Sequence, residues 1–208
     1  MISRRSIFLL TLLAVFAIVV SAFAMWSDTL KINATIETGD VDIEFTDTPK
    51  IFEGLEYGKP WVANCSAELT EVQDEDEDNP AGNNDLELDI HVYNAYPCYY
   101  CKVYDVSVKN TGSVPVKLKT SVYANDTECE LKTDELGQPY YGCDVDGNDN
   151  DIYDIVLWGC FTSLEGVQLE PGESISFTVD MHVEQDAEQS NTYTIKILIK
   201  GIQWNEYS

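Results

Sequence analysis

Asp144, Asp146, Asn148, Asp149 and Asp151 set five oxygen-bearing side chains within the stretch "DVDGNDND". Such side chains at closely spaced positions are what a hard cation such as calcium binds. The stretch departs from an EF-hand loop. Gly147 precedes Asn148 instead of following it, and the twelfth position holds Ile155 where a bidentate acid is needed. Two readings stay open: a calcium site in an irregular loop, and a solvated acidic loop. No other cofactor is expected. The cysteines offer a second chemistry. Cys65, Cys98, Cys101, Cys129, Cys143 and Cys160 make an even set, which in an exported chain reads as up to three disulfides. Cys129 and Cys143 flank a loop containing Gly and Pro and are the expected pair. Cys98-Tyr-Tyr-Cys101 would be a redox dithiol only in a βαβ context. The sequence shows none, so a structural bond is expected.

Catalytic constellations are sparse. His91 and His182 are the two histidines, and they fall on separate strand patterns. The zinc-gripping HExxH, the nucleophile elbow GxSxG and the phosphate loop are absent. A Cys–His pair would need a free thiol, and the even count argues against one. The expectation is a protein that is not an enzyme. Three sequons, at Asn33, Asn64 and Asn125, are candidates for glycosylation. Tyrosines cluster between positions 93 and 104, where packing is their expected use.

The elements that would carry these residues begin with an export signal over 1–24. Arg4 and Arg5 precede an apolar run from Ile7 to Val20 interrupted by Thr11, and Ala22-Phe23-Ala24 ends it. That run is short for a membrane span of about 20 residues. Cleavage by signal peptidase after Ala24 would place the mature chain in an oxidising, extracellular setting. Residues 25–39 follow as an amphipathic strand. Trp26, Leu30, Ile32, Ala34 and Ile36 alternate with Ser27, Thr29, Lys31, Asn33, Thr35 and Glu37, and Asp28 alone breaks the apolar face. Residues 40–208 read as one domain. Runs of period two appear at Val41–Phe45, Leu86–Val92, Tyr104–Val108, Val114–Tyr123, Ile175–Val183 and Tyr193–Ile202, with a short strand expected at Ala67–Val72 and a buried one at Ile152–Trp158. Residues 47–64 look like loop, 73–85 form an acidic solvated loop, 124–150 an inserted loop, and 185–191 leave room for one helical turn. Short strands separated by turns predict an all-β fold, an antiparallel β-sandwich or jelly roll with an N-terminal donor strand.

The formal charge of −25 becomes −27 once Arg4 and Arg5 are removed. Nucleic acid and anionic membranes repel such a chain, so neither is an expected partner.

Four stretches carry a family likeness: "ETGDVDIEF" (37–45), "NAYPCYYCKVYDVSVKNTGSVPVKL" (94–118), "LEPGESISFTVDMHVEQDAEQSNTYTIKI" (169–197) and "IQWNE" (202–206). Together with the signal and the amphipathic strand, their order and spacing resemble the TasA/camelysin family, most of all its archaeal bundling-pilus subunits. The resemblance covers most of the mature chain apart from the acidic loop and the insertion. It implies a secreted, cell-surface filament of jelly-roll subunits, each donating its N-terminal strand to a neighbouring copy, with filaments bundling in biofilm matrix. The expected partner of residues 25–39 is then the same protein. Burying Trp26, Leu30, Ile32 and Ile36 at about 1.5–3 kcal/mol each gives roughly 6–12 kcal/mol before entropy costs. Two other readings are a monomeric surface Ig-like adhesin that keeps residues 26–38 in its own sheet, and a camelysin-like metallopeptidase.

Overall fold

The computed structural model describes residues 8–9, 11–16, 39–54, 62–72, 85–145, 153–185 and 187–207. The chain divides into two units, Met1–Thr38 and Gly39–Ser208. In the first, residues 11–16 are helical, within the apolar run read as a signal. Among the described residues no helix is long and apolar enough to cross a membrane.

The second unit is an antiparallel β-sandwich. One sheet runs β1 (Ile43–Phe45), β5 (Tyr100–Asn110), β12 (Ser174–Val183), β10 (Ile155–Trp158), β9 (Pro139–Cys143) and β8 (Glu130–Thr133), with β2 (Lys50–Glu53) also paired to β5. The other runs β11 (Gln168–Leu169), β6 (Val116–Ala124), β13 (Asn191–Gln203), β4 (Asp85–Ala95) and β3 (Asn64–Val72), with β7 (Thr127–Glu128) paired to β6. The core lies between the sheets because each strand turns one set of alternate side chains inward. Leu86, Leu88, Ile90 and Val92 of β4 and Ile195, Ile197 and Ile199 of β13 are fully buried. They face Val106, Val108, Phe177, Val179, Met181, Ile155 and Leu157 of the opposite sheet. Glu87 and Lys196, on the solvent side of β4 and β13, pair at 3.0 Å.

Four features differ from the sequence reading. Tyr104 does not continue the inward face of Val106 and Val108. Asp105 sits at φ 57, and the β5–β12 register shifts between Phe177 and Val179, a β-bulge that sets two β5 residues against one of β12. Cys101 and Val103 therefore point inward before the bulge, and Val106 and Val108 after it. The stretch 47–64 contains β2, too short and too exposed to show a period. The insertion 124–150 contains β8 and β9, which extend the first sheet beyond β10 instead of looping free. Residues 187–190 and the flanking 184–185 show no helix; the helical turn lies at Cys160–Ser163.

Asn110 ties the two sheets at the β5–β6 corner. It is fully buried. Its Nδ2 donates to Val114 O (2.9 Å) and Leu169 O (3.0 Å), and its Oδ1 accepts from Gly112 N (3.0 Å). The same turn grips the chain just after position 39. Thr111 N and Gly112 N donate to Asp42 O, and Ser113 N donates to Asp40 O. A Cβ on Gly112 would lie 2.3 Å from Asp40 O, so only glycine permits this approach.

Candidate functional site

A β-sandwich has four sheet edges, and each must be covered or made unattractive to another strand. Two edges here are defended by local chemistry. Beside β6, β11 and β7 take the ends. In the middle the Glu165 carboxylate accepts from Thr120 N (2.7 Å), while Tyr207 Oη donates to the other oxygen of Glu165 (2.5 Å). The outermost strand of the first sheet, β8, has four exposed residues and bears the Lys132–Glu130 ion pair.

The remaining two edges face each other along one side of the sandwich: β1 and β2 on one sheet, β3 on the other. β1 and β2 are three and four residues long and are separated by a gap, so they cover β5 incompletely. β3 is nine residues long. Its outward-pointing backbone groups follow from one bond. Cys65 N donates to the Glu53 carboxylate (2.6 Å), away from β4. Backbone direction repeats every second residue, so the N–H and C=O groups of Ala67 and Leu69 also point away from β4. Among the described residues no backbone group meets them. Ala67 and Leu69 of β3, Phe45 of β1, Ile51 of β2 and Val41 pack against the core yet are only partly buried. The two edges thus border an apolar seam.

One end of the seam is closed covalently. Cys65 of β3 is bonded to Cys101 of β5, with Cα atoms 6.5 Å apart, which joins the two sheets. Glu53 of β2 adds a polar clasp: its Oε1 accepts from Cys65 N and from Tyr99 Oη (2.7 Å). Burial first, and then this bond to a carboxylate, hold the Tyr99 phenol well above its ordinary range. Sequence reasoning missed Glu53, because a single acid in a loop-like stretch carries no periodic signal.

Cys129 and Cys143 form the expected second bond, with Cα atoms 4.5 Å apart. The cysteine count does not continue to a third. Cys98 and Cys160 are free, so neither the bonds expected of them nor the argument against a free thiol holds. Cys98 N donates to Val183 O at one end of β12. Cys160 follows Trp158, which pairs with Asp180, and so lies near Thr178. Five residues of strand separate the two places, about 16 Å, against the Cα separation below about 7 Å that a bond requires. Gln185 Nε2 donates to the Cys98 thiol. The histidines stay apart: His182 Nδ1 bonds Glu184 (2.9 Å) and His91 Nδ1 bonds Thr194 Oγ1 (3.2 Å).

Of the calcium candidates, Asp144 alone is described; Asp146, Asn148, Asp149 and Asp151 lie outside the described residues. Among the described residues no cluster of three His, Cys, Asp or Glu side chains could hold a metal. Asp154, just beyond, is buried, and its carboxylate accepts from Val145 N (2.8 Å). Asn64 and Asn125 are both exposed, at the start of β3 and in the β6–β7 turn, and Asn125 Oδ1 accepts from Thr194 N (2.9 Å). Asn33 and the donor-strand anchors Trp26, Leu30, Ile32, Ala34 and Ile36 lie outside the described residues, as does nearly all of the acidic loop. Two disulfides fit an oxidising setting. No protein-family model, no curated protein and no solved structure matches the chain.

Proposed function

We propose that this protein is a secreted structural subunit that polymerises head-to-tail, the segment Met25–Thr38 of one copy adding to the β3 edge of the next, with filaments bundling outside the cell. The observation that supports this reading is the β3 edge itself. Two sheet edges carry a defence, whereas β3 presents outward backbone groups beside a half-buried apolar seam. Strand addition uses those two features together: backbone bonds give affinity, and alternate side chains filling the seam give register. The alternating Trp26, Leu30, Ile32, Ala34 and Ile36 have the period such a seam accepts. A homopolymer formed in this way is heterologous and does not close on itself unless its rotation makes a ring.

The test uses Ala67→Pro. The Ala67 N–H points away from β4, so proline leaves the β3–β4 ladder intact and removes one outward donor. Secreted A67P is expected to keep the wild-type circular dichroism spectrum and to elute as a monomer, while the wild-type chain forms fibres in negative-stain images. Fibres of unchanged number and length from A67P, or from a chain lacking residues 25–38, overturn the proposal. So does a wild-type chain that stays monomeric at high concentration and moderate salt.

A further inference from the structure

The solvent face of the first sheet carries a groove of about 890 Å³ with a different character from the seam. Its floor is a row of cross-strand neighbours: Lys102 of β5, Asp180 of β12 and Trp158 of β10. One wall is Tyr153, whose ring lies across Gly142 of β9; a Cβ there would come within 2.4 Å of the ring. The β8–β9 loop supplies Gln138 to the rim, and β9 supplies Tyr140.

The floor is fixed in place. Asp180 is only 7% exposed. Its carboxylate accepts from Tyr100 Oη and from Lys102 Nζ (3.3 Å). Gly159 holds φ 122 beside it, where a Cβ would lie 2.5 Å from Thr178 O and 3.2 Å from Asp180 Oδ2. The rim is ordered too, since Asp134 Oδ1 accepts from Leu136 N (2.8 Å) and Gln138 N (2.7 Å). Trp158 remains 36% exposed, with its ring 6.2 Å from Tyr100 and 6.5 Å from His182.

We propose that this groove binds a neutral saccharide, with the Trp158 and Tyr153 rings as platforms for pyranose C–H faces. The chemistry of the lining selects this class. Aromatic surface with a few fixed polar groups is the composition of a small-ligand site. Gln138 and the Lys102–Asp180 pair offer donors and acceptors side by side, as adjacent sugar hydroxyls require. Among the described residues, one lysine against Asp134 and Asp180 gives no cationic cluster for phosphate or sulfate, and the charge of −25 repels acidic polymers. An extended peptide gains nothing from strand pairing here, because β5, β12 and β10 bond one another.

Saturation-transfer difference NMR tests this on the intact secreted protein, whether monomeric or fibrous, which separates the result from the fate of the polymer proposal. The probes are hexaoses of β-1,4-glucose, β-1,3-glucose, β-1,4-xylose and α-1,6-mannose. At least one should show transfer to its ring protons. Trp158→Ala and Gln138→Ala should each weaken binding at least tenfold, while Trp204→Ala, at an exposed site in the C-terminal segment, leaves it unchanged. Absence of transfer to all four, or equal transfer in W158A and Q138A, overturns the proposal. Transfer confined to a proline-free decapeptide mixture run in parallel overturns it as well.

Discussion

Asn110 shows how a single side chain sets the geometry of this sandwich. Its amide is buried and makes three hydrogen bonds, two of them to carbonyls on different segments. Asn110→Ala removes all three buried hydrogen bonds, and the expected loss is about 2–4 kcal/mol in a guanidinium melt. This buried role is not legible in the sequence, because it depends on Leu169, distant in the chain. Tyr100 gives the second prediction at this scale. Burial, and then its bond to Asp180, push its phenol from 10.0 up to about 12. Tyr207 is pushed up to about 12 by its bond to Glu165. An unfolded tyrosine ionises near pH 10, so between about pH 10 and 12 the unfolded chain holds fewer protons than the folded one. The stability these two tyrosines contribute is then complete below pH 10 and falls as pH rises through that window. Melting temperatures measured from pH 8 to 12 should fall above pH 10, and the fall should be shallower in Tyr100→Phe.

Among the elements, β3 and β5 matter most because one covalent bond joins them. The Cys65–Cys101 bond closes a sequence separation of 36 residues, for which the chain-entropy model gives about 4 kcal/mol. The Cys65→Ala/Cys101→Ala pair should lose close to that in a denaturant melt. It should also lose fibre yield, since the covalent tie between β3 and the opposite sheet is gone. The Cys129–Cys143 bond, separation 14, ties the residue before β8 to the end of β9 at the far edge of the first sheet, and the same model gives it about 3 kcal/mol. Its loss is expected to leave the β3 edge, and fibre assembly, unaffected. β5 also shows why alternation can mislead. Its bulge at Asp105 changes which parity faces inward, so Tyr104 belongs to the surface although it is in phase with Val106 in sequence.

For the whole molecule, charge sets the conditions of assembly. Subunits that carry −25 over the full chain, or −27 without Arg4 and Arg5, repel one another, and that repulsion is screened over about 30 Å at 0.01 M salt but about 8 Å at 0.15 M. If filaments form by strand addition, light scattering should show a lag that shortens as sodium chloride rises from about 0.01 to 0.15 M. The apolar seam, by contrast, is indifferent to salt. A polymer whose growth slows with added salt would point to ion pairing at the subunit contact, not to strand addition.

What the sequence determined by itself is the material of the fold: the inward faces of β4, β12 and β13, and the Cys129–Cys143 bond. These are local or periodic, and periodicity survives in one dimension. The tertiary structure alone decided the partner of Cys65, the isolation of Cys98 and Cys160, the service of Glu53 and Glu165 at strand edges, and the row Lys102–Asp180–Trp158. Each of these joins residues far apart in the chain, and which residues meet is set by strand order and register across two sheets. No spacing along the chain encodes that order.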